Sequence, residues 1–298
     1  MRPVVFILTR IRLCQFVTMR PNLFTSIFAA SAIGLAGTGS SQPSYASACP
    51  NPSTLTSVND NGDATSFDAI TGGSCSGTPD SYGVTIYKMG LCRSDPRPSQ
   101  GTSPDYSSCS ITFENNSGTA ANFAAGTSVE LDEALAARPI NGSYSYLIIL
   151  LGHTFNIKSQ YGPIAGTTYY STSISTGDNA SADTSGPARS MPMQARSFDA
   201  NCVSEDSLSV ASGTLTAFLL NSSGVMITGS TSEAYCPDVK YILGSVSLTS
   251  PILIDENVIS LKANFKVTDN GTTVMNDDSN GLIFGAGPFS VNMSIFSR

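Results

Sequence analysis

The sequence predicts an all-β protein, an antiparallel β-sandwich with long polar loops, preceded by a cleaved N-terminal signal peptide. Three observations carry that expectation. Hydrophobicity alternates with a period of two over many short stretches, turn-forming residues separate those stretches, and the first 48 residues have the layout of an export signal.

The signal comes first along the chain. Met19-Arg20-Pro21-Asn22 gives a short basic start, and residues 23–37 (LFTSIFAASAIGLAG) form an apolar run too short to span a bilayer. Ala46-Ser47-Ala48 then supplies a small-x-small cleavage site, so residues 1–48 read as the signal peptide. Arg10 and Arg12 interrupt the apolar piece in residues 1–18, which places the translation start at Met19; a longer signal with an extended basic start is the alternative. Removing residues 1–48 takes away four arginines and no acid, so the net charge moves from −7 to −11. A chain this acidic repels phosphate backbones and anionic lipid, which argues against nucleic acid and membrane surfaces as partners. No transmembrane segment is expected after signal cleavage.

Cysteine usage agrees with export. Cys14 leaves with the signal, and Cys49, Cys75, Cys92, Cys109, Cys202 and Cys236 remain, an even set that reads as three disulfides in an oxidising compartment. Nearest-neighbour pairing (49 with 75, 92 with 109, 202 with 236) is favoured because each pair brackets one local loop. Cys92 with Cys109 is the firmest, since both flank a loop between two strands; Cys49 with Cys75 is the weakest, since its segment lacks strand periodicity. A lipid anchor on Cys49 is the rival reading. It would leave five thiols, and Ala46 stands where a lipoprotein signal carries a larger aliphatic residue.

Residues 49–298 suffice for one large β domain, with a possible split near 175–201. In 84–92 and 109–114 two strands flank a Pro- and Ser-rich loop, with Cys109, Ile111 and Phe113 on one face. Residues 144–158 (YSYLIILLGHTFNIK) are apolar on both faces through 147–151, the mark of a central strand covered on both sides. Residues 215–220 and 225–228 flank the turn Asn221-Ser222-Ser223-Gly224. Residues 258–268 alternate cleanly and run into Asp269-Asn270-Gly271, which predicts a hairpin returning through Thr272-Thr273-Val274. Residues 289–296 close the chain as another alternating strand. Residues 131–137 fit either a short helix or a strand. Residues 51–80 predict a loosely packed entry pinned by Cys49 and Cys75, and 175–201 a long mobile loop or linker.

The chemistry available is thin. His153, the single histidine, lies in the doubly apolar strand, and no nucleophile elbow accompanies it; a hydrogen-bonded core or strand-end role is expected. The acidic pairs Asp132-Glu133, Asp255-Glu256 and Asp277-Asp278 read as solvated turns, because neighbouring strand side chains face opposite ways. Asn59-Asp60-Asn61-Gly62-Asp63 spaces oxygen ligands as calcium likes them. It departs from the EF-hand loop, however, with Ala64 for the required Gly and Ile70 for the bidentate Glu. The cysteine spacings do not fit zinc. No catalytic residue, metal or cofactor is therefore assigned.

Tyr161, Tyr169 and Tyr170, which flank a Gly/Pro segment, are the candidate binding residues, able to stack on sugar rings if exposed. The expected role is that of an exported, non-catalytic protein acting structurally or by interaction, in adhesion or assembly at the cell envelope or outside the cell. Its extracellular protein or glycan partner is unidentified, and self-association through residues 289–296 is one route. A ligand- or carbohydrate-binding module is the alternative, and a secreted hydrolase the third reading.

Overall fold

The computed structural model describes residues 47–123, 137–172, 179–198, 201–210, 212–233, 235–269, 271–277, 281–287 and 289–297. A 3-10 turn (Pro52–Thr54) and the short helix α1 (Phe67–Thr71) precede the strands. These are β1 (Ser74–Gly77), β2 (Ser81–Cys92), β3 (Cys109–Phe123), β4 (Gly142–Gly152), β5 (Thr154–Lys158), β6 (Gln160–Ile164), β7 (Thr167–Tyr170) and β8 (Asn179–Ser181). They continue as β9 (Met191–Gln194), β10 (Glu205–Val210), β11 (Gly213–Asn221), β12 (Val239–Ile254), β13 (Val258–Lys266), β14 (Thr272–Asp277), β15 (Gly281–Ala286) and β16 (Ser290–Ser297). The ladders between them are antiparallel, and the sheets curl.

The doubly apolar run forms β4, held between β2 and β12 in the largest sheet. Leu147, Ile149 and Leu151 enter the main core, while Ile148 on the opposite face enters a second, smaller one with Cys92, Phe218, Leu220, Met226 and Leu243. Burying each such aliphatic side chain contributes about 1.5–3 kcal/mol, so a strand covered on both faces holds the sheet most firmly. Across this sheet the order runs β10, β11, β12, β4, β2, with β3 on the far side of β2. β5 continues the line of β4 along β2 but takes β9, not β12, as its other neighbour.

The second core lies under residues 93–108, the loop closed by Cys92 and Cys109. Gly101 N donates to Met226 O (2.9 Å), and Met226 N donates back to Thr102 O (2.8 Å). The Arg97 guanidinium lies 5.8 Å from the Phe218 ring centre and pairs with Asp95 and Glu205. The polar loop is thus a strap over an otherwise exposed apolar face. All three expected cysteine pairs stand at bonding distance, with Cα separations of 4.8, 3.9 and 4.4 Å for 49–75, 92–109 and 202–236. Such pairs persist in oxidising compartments. Among the described residues no helix is long and apolar enough to cross a membrane.

The structure corrects several local expectations. Strand 258–266 does not return on 272–274: β13 pairs with β16, whereas β14 pairs with β1 and β15. Asp269 takes φ 64° and its amide donates to Thr78 Oγ1 (2.7 Å), so the turn carries the chain from one sheet to another. Phe113 does not share a face with Cys109 and Ile111, because a register shift beside Met89 turns it into the main core. Residues 51–80 hold α1, capped by the Ser66 hydroxyl on Ala69 N and ended by Gly72 at φ 67°, and they bury Leu55 and Phe67. The stretch 175–201, expected as loop, contains β8 on β15 and β9 on β5. Met191 and Met193 are buried there, with Pro192 and Gln194 exposed between and after them. Four residues are too few for alternation to stand out, and a proline among them removes one ladder donor. Of 131–137, only Ala137 lies within the described residues.

Candidate functional site

His153 sits at the joint where β4 gives way to β5. Its backbone N–H donates to Lys240 O (3.2 Å) on β12, its Nδ1 lies 3.1 Å from that same oxygen, and its carbonyl accepts from Ala195 N (2.8 Å) just beyond β9. The residue therefore splices the neighbour on one half of the long strand to the neighbour on the other. Partial burial pushes its pKa below the ordinary 6.5, and the charges of Lys240 and Arg196 add to that. A depressed pKa means the unfolded chain binds the proton more readily. The associated stability is present above about pH 6.5 and is lost as pH falls through the folded-state value. Melting temperature is accordingly expected to fall from pH 6.5 downward, in a window above that of the carboxylates. His153→Asn, which can keep the donor to Lys240 O without the titration, should flatten that limb; an unchanged profile would remove the histidine from it.

The three candidate tyrosines occupy the hairpin β6–β7. Tyr161 and Tyr169 face each other across it. Tyr161 is 8% exposed, its hydroxyl donates to Pro50 O (2.8 Å), its ring meets Phe67 edge-on at 5.9 Å, and burial pushes its pKa up to about 12. Tyr169 is partly buried, which raises its pKa. Tyr170 exchanges backbone hydrogen bonds with Asp183 (2.8 and 2.9 Å) and packs its ring where a side chain at Gly186 would otherwise stand. A cleft of about 400 Å³ opens beside Tyr161, walled also by Cys49, Ser76, Asp269 and Val274. One candidate tyrosine and one half of the weakest expected cysteine pair thus share a cleft. Tyr161 meets that cleft with its hydroxyl already engaged and little of its ring exposed.

The oxygen-rich turn is satisfied from within. The Asp63 carboxylate accepts from the hydroxyls of Thr56, Thr65 and Ser57 and from Thr65 N (2.9 Å), and these hydrogen bonds, Thr56 foremost, hold its pKa down to about 2. Asp60 Oδ1 accepts from Gly62 N (3.0 Å). Asn276 Nδ2 donates to Asn59 Oδ1 and Asp68 Oδ2, each at 2.7 Å, tying the turn and α1 to β14. Among the described residues no three His, Cys, Asp or Glu side chains gather where they could hold a metal ion. Asp255 caps the turn into β13 by accepting from Asn257 N (2.9 Å), and Arg138 donates to the Asp255 and Val258 carbonyls. Asp132, Glu133 and Asp278 lie outside the described residues.

A second tyrosine group escapes sequence reading. Tyr87 and Tyr241 meet edge-to-face at 4.9 Å on the outer face of the large sheet, where Tyr241 packs against the second core. Partial burial raises the Tyr87 pKa, with Tyr241 contributing. Next to them Lys88 pairs with Glu114 (2.8 Å) and lies 4.5 Å from the Tyr106 ring centre. Burial, and then the Glu114 charge, push Tyr106 up to about 12. The register of β2 shifts between Ile86 and Lys88, a bulge that brings two consecutive residues toward one face. Gly152, across on β4, leaves the Tyr87 ring uncovered: a Cβ there would touch it at 3.6 Å. The arrangement is a partly exposed aromatic platform edged by one cation and one carboxylate.

No protein-family model matches this chain, no curated protein matches its sequence, and no solved structure matches its fold.

Proposed function

We propose that this is an exported, non-catalytic β-sandwich protein with a structural or interaction role, in adhesion or assembly at the cell envelope or outside the cell. The observation that carries the reading is the ribbon of β13 and β16. These two strands pair with each other, and among the described residues neither has a second neighbour. β16 carries no charged residue over Ser290–Ser297, so nothing in its sequence opposes addition of another strand. The sandwich is supported by the main core, where Phe123 at the end of β3 stacks on Phe265 of β13 at 4.7 Å and Tyr82 of β2 meets Phe289 edge-on at 5.7 Å. Export is supported by the three cysteine pairs, which use every cysteine after residue 48.

Assembly through β16 predicts that the purified protein gains mass with concentration in light scattering. Asn292, opposite Asn264 in the ribbon register and one residue off the face that Phe265 turns to the core, is the position to change. Asn292→Lys is expected to return the particle to monomer mass while leaving the circular dichroism spectrum intact. A folded variant of unchanged size would refute the edge as the contact.

The ligand-binding reading keeps one specific support, the Tyr87–Tyr241 platform, since aromatic faces stack on sugar rings. Glycan binding abolished by Tyr241→Ala, with assembly unaltered, would favour it over the first. His153 gives the hydrolase reading little, because Nδ1 lies against a backbone carbonyl.

A further inference from the structure

We infer that the exported chain begins at Ser47, cut between Ala46 and Ser47 rather than after Ala48. This rests on the export reading above and concerns where the fold requires its first residue to be. Ala48 bridges Ser76 in parallel. The Ser76 amide donates to Ser47 O (2.9 Å), and the Cys49 amide donates to Ser76 O (2.8 Å). Ser76 is 4% exposed with Ser47 and Ala48 lying over it, and a cut after Ala48 would remove both that cover and the acceptor of its N–H.

The same cut would turn the Cys49 amide into an α-ammonium on the cleft wall, partly buried beside its own disulfide. Charge in that position needs hydration that an amide does not. A cut two residues earlier keeps both hydrogen bonds and leaves the ammonium on Ser47, which is exposed. The sequence permits it, because Ser44 and Ala46 are small at the two places where signal peptidase requires small residues, with Tyr45 between them. The protease acts on extended chain before folding, so the fold does not gate the cut. What the fold selects is a processed end that still supplies the Ser47 carbonyl.

N-terminal sequencing and intact mass of the full-length chain, exported by a bacterial host, test this. The expected product reads Ser-Ala-Cys and is heavier, by one serine and one alanine residue, than a chain starting at Cys49. Ala48→Leu separates the two cuts. Processing should continue and yield Ser-Leu-Cys, whereas a cut after residue 48 would lose its small residue and fail. Ser44→Leu should do the reverse and abolish the Ser47 product. A wild-type product starting at Cys49, or loss of processing in Ala48→Leu, overturns the inference and leaves export standing. Recovery of a chain that still carries residues 19–46 overturns both.

Discussion

Phe123→Ala is expected to destabilise the protein by about 3–5 kcal/mol, the usual cost of truncating a buried phenylalanine in a core that cannot collapse. Phe123 is fully buried at the end of β3 and sits opposite Tyr82 in the ladder. Its ring stacks on Phe265 at 4.7 Å and tilts against Phe289 at 6.2 Å. Phe289 in turn meets Tyr82, and Tyr82 meets Phe155 edge-on at 5.8 Å. These rings join the large sheet to the ribbon of β13 and β16, so removing the stacked one opens a cavity where the two meet. The Tyr82 hydroxyl, which donates to Gly287 O (3.0 Å), would then hold the far side with less apolar support. Urea unfolding followed by far-ultraviolet circular dichroism is the suitable readout, because the chain has no tryptophan. A loss below about 1 kcal/mol would place the ring cluster outside the cooperative core.

How much of this was legible in the sequence depends on how local the signal was. The run 147–151 announced a central strand because burial on both faces leaves no polar position to blur it, and β4 sits there. The cysteine pairs were legible because each closes a short loop. The pairing of β13 was not, because Asp269-Asn270-Gly271 has the same turn chemistry whether the chain folds back or crosses over. What redirects it is the contact with Thr78, nearly two hundred residues away in sequence. The strands at 179–181 and 191–194 were invisible for lack of length.

The candidate site divides in the same way. Tyr161 drew notice as an aromatic beside Gly and Pro, but its burial comes from Phe67 and Pro50, which only the fold brings near. Tyr87 lies in the expected strand 84–92 with nothing to mark it, and Tyr241 in a stretch that the sequence pattern assigns to no element. The bulge that helps set Tyr87 beside Lys88 on the outer face leaves no trace in composition or period.

Replacing Cys92 and Cys109 together by alanine is expected to cost about 3 kcal/mol on the chain-entropy model, and the loss should be felt in the strap more than in the strands. The closed loop spans 17 residues, against 26 and 34 for the other two pairs. Entropy alone therefore ranks this bridge last, but only by some tenths of a kcal/mol, since the dependence on loop length is logarithmic. Packing adds to its effect. Cys92 is fully buried in the second core, under a loop also anchored by the Gly101 and Thr102 exchange with Met226, by Tyr106 packed on that core beside Lys88, and by the partly exposed contacts of Arg97. Exposed ion pairs of that kind contribute about 0–1 kcal/mol, too little to hold a strap of this length closed. The ladder between β2 and β3 continues through Phe123, so the strands should persist while residues 93–108 lift from Phe218, Ile148 and Leu243. The double variant should thus show near-native circular dichroism, a lowered urea midpoint and much faster proteolysis within 93–108. Apolar surface newly bared on the sheet should bind a hydrophobic dye. Equal protease resistance in the bridged and unbridged proteins would mean that the strap is held by its own contacts, and that the disulfide only constrains the unfolded chain.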